Sequence, residues 1–526
     1  MALRSFLGWL EKENITLHDG LEIVENQDAG IFVRSICDEF IPLAQTVASI
    51  PKSSILSVRT CALAEHISFV PYGHGATLSL ALALYSEMLR GSESAWHPYL
   101  QSLPPTTVPI ARLWCDPHAF PDDADAREAA RWIHGTEIQR ELQDEDGSPL
   151  VDEIRAFYKS DVQPLLDSAG LSASLHGFLH AYSLVCSRAF LVDAYHGLSM
   201  VPVADAFNHT HENHVQMASD FHVCPVCGAL HECPHDKDEF SPSPALDTPL
   251  ARPQSSTDVD TVDMVTVRPV PPHSEVFNTY GAALGNASLL ARYGFALDAA
   301  NDTDVVTFGW PGSGILVDSD EDMVAFRMVH REALRATRDV IRGSALLFAP
   351  HEDEREARWL MVNGDGQVSL GLFIWAVWSA LMEGPQTGME GLPDPDLNVA
   401  LLQLLPRAAK ALRQIEAARE EEGDVHELEI ADDLACQLLE GAAEALASLC
   451  RTRASGMGKK GYRGAGTVVL TKLLDNLPAE QPKTKLALEY LLAERALLEA
   501  CAVGWEDIRD QLSGDSMGGD ESDMEP

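Results

Sequence analysis

The stretch from Glu275 to Leu297 reads E-V-F-N-T-Y-G-A-A-L-G-N-A-S-L-L-A-R-Y-G-F-A-L. It sets two Tyr-Gly pairs, Tyr280-Gly281 and Tyr293-Gly294, on either side of a helix-like run around Leu289 and Leu290. Glycine permits backbone angles and close approaches that a larger residue resists, so a Tyr-Gly pair at a strand end can present a phenol into a cavity. Upstream, the string V-P-V-A-D-A-F-N-H from Val201 to His209 ends a strand-like apolar run in groups that both donate and accept hydrogen bonds. The two strings belong together, and the fold has to accommodate both.

Together they resemble the SET-domain protein methyltransferases, in the branch of the Rubisco large-subunit methyltransferase and the fungal ribosomal lysine methyltransferases. The Asp-x-x-Asn-His signature is Asp205, Asn208 and His209, and the tyrosine signature is Tyr280 followed by Tyr293. A Ser-Arg-x-Phe match at Ser187, Arg188 and Phe190 strengthens the resemblance, as does S-A-W-H-P-Y-L from Ser94 to Leu100 followed by Leu103-Pro104. The resemblance runs from near Trp9 to about Cys501 and is weakest in the last third.

The resemblance implies an α+β fold. A mostly β SET core with a pseudoknot would carry a helical insertion, and an all-α C-terminal lobe would follow. On that reading residues 1–75 and 181–300 form the SET domain, with 76–180 as the insertion and a Cys/His-containing loop at about 217–260. The segment 299–306 would close the core. Residues 310–510 would form a helical substrate-binding domain, and 513–526 a disordered acidic tail. Apolar periodicity predicts helices at 370–382, 397–412, 434–449 and 485–501, and a helical repeat through Phe326, Val329, Ala333, Leu334, Val340 and Ile341. Pro482 suits a first helical turn.

Composition narrows the partners. The chain has 526 residues, 46% of them hydrophobic and 22% charged, the balance of a globular protein with a substantial core. Its formal net charge of -42 disfavours direct nucleic-acid binding and favours a protein substrate with a basic, lysine-containing segment. The apolar run at 368–382 falls short of the roughly 20 residues that cross a bilayer, so a buried helix is expected and no membrane. The start, M-A-L-R-S-F-L-G-W-L-E-K, has too short an apolar stretch for a secretory signal. An intracellular monomer is expected, in the nucleus ahead of the cytoplasm.

Ten cysteines without such a signal argue for thiols or metal ligands rather than a disulfide framework. Cys224-Pro-Val-Cys227-Gly followed by Cys233-Pro-His235 has the residue types of a tetrahedral zinc site. Structural zinc and reduced loop cysteines stand as equal readings of it.

The family role of each site residue follows from the resemblance. Tyr280 would be the catalytic tyrosine, orienting a substrate amine. S-adenosylmethionine would be held by Gln27, Ala29 and Gly30 of a turn, together with Arg188, Asn208, His209 and Tyr280. Asp28 stands where the family turn has its first glycine. Arg188, Asp205, Tyr280 and Tyr293 would line the substrate side, whereas Phe207, Phe277 and Phe295 read as core. Transfer of a methyl group to a protein lysine is the leading expectation. Histidine methylation and a non-catalytic SET-fold binding protein are the alternatives.

Overall fold

The computed structural model describes residues 2–26, 30–144, 146–230, 233–237, 260–297, 301–309, 332–349, 360–383, 397–420 and 432–513. Gln27, Ala29, Phe326, Val329 and all of the acidic tail beyond Ser513 lie outside these residues. The chain divides into two units.

The first unit comprises residues 1–123, 149–284 and 289–295. Its largest sheet has four antiparallel strands in the order Thr16–Leu17, Thr46–Pro51, Thr261–Thr266 and Val215–Ser219. The hairpin Leu21–Asn26 with Gly30–Ser35 shows why these segments are strands: Ile31, Val33 and Ser35 are buried while the residues between them are not, the period of two that covers one sheet face. A third sheet pairs Leu198–Met200 with both Leu56–Ser57 and Ala189–Leu191. Phe6, Val33, Ile50, Leu56 and Phe207 are among the fully buried residues of the shared core.

Two helices at the ends of the expected insertion pack on each other. Gly73–Arg90 is buried on every side from Leu78 to Leu84, as an all-round apolar helix requires. It packs along Leu175–Arg188, whose N-cap Ser174 accepts a hydrogen bond from the Gly177 amide. A Cβ on Gly177 would lie 2.5 Å from the Tyr85 hydroxyl, so the two helices close only over a glycine. The second helix ends at Arg188, which brings that guanidinium to the site.

The second unit comprises residues 124–148, 285–288 and 296–526. Ala124–Ser148, inside the expected insertion, therefore groups here. Val305–Thr307, expected to close the first core, instead pairs antiparallel with Met361–Asn363 in a small sheet of this unit. Helices Leu370–Glu383, Leu397–Glu420, Asp433–Gly456, Thr467–Asp475 and Pro482–Leu512 also belong to this unit, along with Ala124–Trp132. Asp125 accepts from the Lys483 and Thr484 amides at 2.9 and 3.0 Å, satisfying donors that the first turn of Pro482–Leu512 leaves open. The described residues thus mix sheet and helix as an α+β fold does. None of their helices is long and apolar enough to cross a membrane.

Candidate active site

The signature residues of both strings, Asp205, Asn208, His209, Tyr280 and Tyr293, fall in the first unit, and the strings pair around Asn208 and Asn278. His209 bridges Asn278 in parallel, the Asn278 amide donates to the Asn208 carbonyl at 2.8 Å, and the Thr210 amide donates to the Asn278 carbonyl at 3.0 Å. This backbone pairing joins positions far apart in sequence and orders the site around them. Asn208 reinforces it through its side-chain amide, which donates to Glu275 at 2.7 Å.

His209 is fixed from two directions. Its Nδ1 accepts the Tyr280 amide at 3.1 Å, so the neutral ring carries its proton on Nε2. Burial, with a smaller contribution from His211, holds the imidazole down at about 4, and it stays uncharged at neutral pH. The ring stacks on Tyr280 at 5.1 Å between centroids.

Tyr280 in turn stacks on Tyr293 at 4.7 Å, and Phe295 meets both rings edge-on at 6.3 Å. Phe295 is thus a wall of the aromatic cluster and not a core residue. Gly294 is responsible: its φ of +82° swings the chain so that tyrosine and phenylalanine two residues apart face the same space. A Cβ there would also lie 3.0 Å from the Pro109 carbonyl carbon. Gly294→Ala is therefore expected to cost about 1–3 kcal/mol. Gly281→Ala, which meets only the movable Leu284 side chain, should cost under about 1 kcal/mol. Thermal unfolding of the two variants side by side checks the contrast.

On the opposite flank Arg188 donates to the Asp205 carbonyl at 3.0 Å and sits 3.8 Å from its carboxylate. Tyr99 donates its hydroxyl to the same carboxylate at 2.9 Å. Burial raises the Asp205 carboxyl above its usual range even though Arg188 pulls it down. Asp205 rides on a short turn, Ala204–Ala206, entered through Val203 at φ +72°. A buried β-branched residue in that region is strained backbone, held by its surroundings at the point that aims Asp205. Gly30 has φ +74°, and its missing Cβ would lie 3.9 Å from Arg188 Nη2, so the described end of the hairpin turn reaches the same group.

Burial raises the Tyr280 phenol far above its ordinary range, with Arg188, Tyr293, Asp205 and Glu275 as the charged and polar groups that it feels. The structure thus brings together Gly30, Arg188, Asp205, Asn208, His209, Tyr280 and Tyr293. Tyr99, Glu275 and Phe295 join them. Tyr99 stands in the S-A-W-H-P-Y-L string, which was the available signal for it. Cys224, Cys227, Cys233 and His235 form a separate group whose ligand atoms lie within 4.8 Å of one another.

The fold is that of the SET-domain lysine methyltransferases of the Rubisco type. The crystal structure of the SET domain of LSMT bound to lysine and AdoHcy matches with a TM-score of 0.60 over 98% of this chain and 92% of that one, at 14% identity. Rubisco LSMT bound to AdoMet matches at 0.59 over 98% and 93%, also at 14% identity. In sequence, the chain is similar to ribosomal lysine N-methyltransferase 3 of Saccharomyces cerevisiae, 25% identical over 331 residues, 53% of this chain and 58% of that protein. N-lysine methyltransferase SETD6 of Bos taurus is likewise 25% identical over 318 residues, 57% and 58%. The chain thus spans 58% of the length of either curated relative. No protein-family model matches.

Proposed function

We propose that the chain is an S-adenosylmethionine-dependent protein-lysine N-methyltransferase, with Tyr280 as its catalytic residue. The observation that carries this reading is the set of buried polar atoms around the aromatic cluster. Arg188 Nε, Asp205 Oδ1, His209 Nε2 and Asn278 Oδ1 are buried without a hydrogen-bond partner among the described residues. Orphaned buried groups are costly, at about 1–3 kcal/mol each, and their presence on Arg188 and on residues of both signature strings fits a site that a polar ligand completes.

The donor set suits that cofactor. Arg188 offers a cation for a carboxylate, and the His209 Nε2 proton and the Asn278 carbonyl offer a donor and an acceptor at the paired strings. When bound, the cofactor supplies an electrophilic methyl group. The chain's own residues do the rest by orientation and exclusion of water. The stacked rings of Tyr280 and Tyr293, with Phe295 at their edges, give a substrate amine apolar walls that favour its neutral form. A lysine otherwise titrates near 10.4. Tyr280 remains a phenol at neutral pH, so it acts as a hydrogen-bond partner that aligns the amine's lone pair, and proton removal falls to solvent. The net charge of -42 favours a basic substrate segment, whose approach slows as salt is added.

The test is incubation of the purified full chain with tritiated S-adenosylmethionine and an extract of its native organism, alongside calorimetry with the cofactor alone. Cofactor binding and label on a lysine of a basic protein are the expected results. Label confined to histidine would move the assignment to the histidine reading, and absence of both binding and label would leave a binding protein.

A further inference from the structure

We propose that Cys224, Cys227, Cys233 and His235 hold one zinc ion in a closed, structural site that organises the start of the long connection between strands Val215–Ser219 and Thr261–Thr266. This inference is independent of the methyltransferase reading. Zinc bonds of about 2.3 Å to sulfur and 2.0–2.1 Å to nitrogen, in tetrahedral array, put sulfur and nitrogen ligands about 3.6 Å apart. His235 Nδ1 lies 3.7 Å from the Cys224 sulfur and 3.6 Å from the Cys233 sulfur. All four ligand atoms lie within 4.8 Å of one another. A disulfide would use two sulfurs and leave no reason for an imidazole nitrogen to face them.

The backbone is shaped for the same purpose. The Gly228 amide donates to the Cys224 carbonyl at 2.8 Å, and the Cys224 amide donates to the Ala229 carbonyl at 2.9 Å. This tight loop turns two cysteines toward one point. Gly228 makes it possible with φ +74°, and a Cβ at that position would lie 2.9 Å from the Tyr195 ring. The loop is therefore seated on the turn between strands Ala189–Leu191 and Leu198–Met200, where the Ala194 amide also donates to the Phe221 carbonyl at 3.3 Å.

The anchor beneath the site is a buried cation. Lys52, 4% exposed, donates to the Asp220 carbonyl at 3.1 Å and pairs with Asp193 at 2.8 Å and Asp260 at 3.0 Å. Burial raises the Asp193 carboxyl, but hydrogen bonds from His196 and Lys52 outweigh it and leave the group at about 2. Asp220 and Asp260 flank the connection, so one ammonium gathers both of its ends. Between Asp220 and Lys237 the apolar residues supply little core: Val223 is buried, but Val226 and Leu230 are 59% and 37% exposed. A segment that buries so little needs a crosslink, and zinc displacing the protons of three thiols supplies one. With four protein ligands the ion keeps no open position, so its role is to fold the segment and not to catalyse.

The full chain, produced in zinc-containing medium without an affinity tag, is analysed by plasma mass spectrometry, and its metal-stripped, reduced form is titrated with cobalt(II). We expect about one zinc per chain and, with cobalt, the charge-transfer and ligand-field bands of a tetrahedral thiolate site that zinc displaces. Cys224→Ser with Cys227→Ser should lose the metal, whereas Cys115→Ser, at an exposed cysteine elsewhere, should keep it. Zinc retained by the double variant, or lost equally from Cys115→Ser, would overturn the assignment. So would a wild-type chain that gives no tetrahedral cobalt spectrum, a result that does not depend on whether the double variant folds.

Discussion

Tyr280→Phe is expected to slow methyl transfer by roughly 10²–10³-fold, the usual loss when one transition-state-positioning hydrogen bond is removed. The ring stays, so its stacking on Tyr293 at 4.7 Å and on His209 at 5.1 Å survives, and cofactor affinity should change by less than about threefold. The phenol's oxygen is all that is lost. Because burial keeps that phenol protonated far above neutral pH, the wild-type rate should rise with pH as the substrate amine deprotonates, with no break from a tyrosinate. His209, held near 4 by burial, should add no limb between pH 6 and 8. Single-turnover rates from pH 6 to 9.5 for both proteins check this. A Tyr280→Phe enzyme within threefold of wild type throughout would remove Tyr280 from the catalytic role, and the fold similarity would stand untouched.

What the sequence disclosed and what it hid divide along the range of the interactions. The string from Val201 to His209 and the one from Glu275 to Leu297 were readable because each residue's neighbours in sequence constrain its backbone. Their side-by-side pairing then followed from the resemblance. The helices at 370–382, 397–412, 434–449 and 485–501 were located by their apolar spacing. All four run on past their expected ends, and the added turns of Leu397–Glu420 and Pro482–Leu512 still bury Ile415, Trp505 and Ile508 among polar neighbours that thin out the apolar repeat. The S-A-W-H-P-Y-L string marks Tyr99 but not its partner, because Asp205 lies 106 positions away and no local pattern links them. Phe295 was misread because a lone phenylalanine is usually core, and the left-handed turn at Gly294 that redirects it shows only in three dimensions. The grouping of Ala124–Ser148 with the second unit was equally out of reach, since it rests on contacts such as Asp125 with Thr484.

The second unit holds the largest stability effect. Arg453→Ala is expected to destabilise it by about 3–5 kcal/mol, the cost of removing one partner from a buried ion-paired cluster. Arg453 is 3% exposed and reaches Glu137 at 3.1 Å, Glu494 at 3.4 Å and the Thr307 carbonyl at 3.2 Å. The Glu137 carboxylate also pairs with Arg140 at 2.7 Å and accepts from the Thr307 amide and hydroxyl, so Arg453 sits inside a buried polar network. Within it, burial drives the Glu494 carboxyl up to about 8, with Arg453 pulling down and Glu137 pushing up. Its folded value lies above the unfolded one, so the protonated acid's stabilisation is complete below about pH 4.5 and is lost as pH rises through about 8. Glu494→Gln copies the protonated acid. It should match wild type near pH 5 and unfold at higher temperature than wild type at pH 9, while Arg453→Ala unfolds roughly 10 °C lower at every pH. Calorimetric scans of the full chain at pH 5, 7 and 9 separate these outcomes. A Glu494→Gln variant less stable than wild type at pH 9 would mean that Glu494 is an ionised partner of Arg453, and the proton would have to be taken out of the cluster.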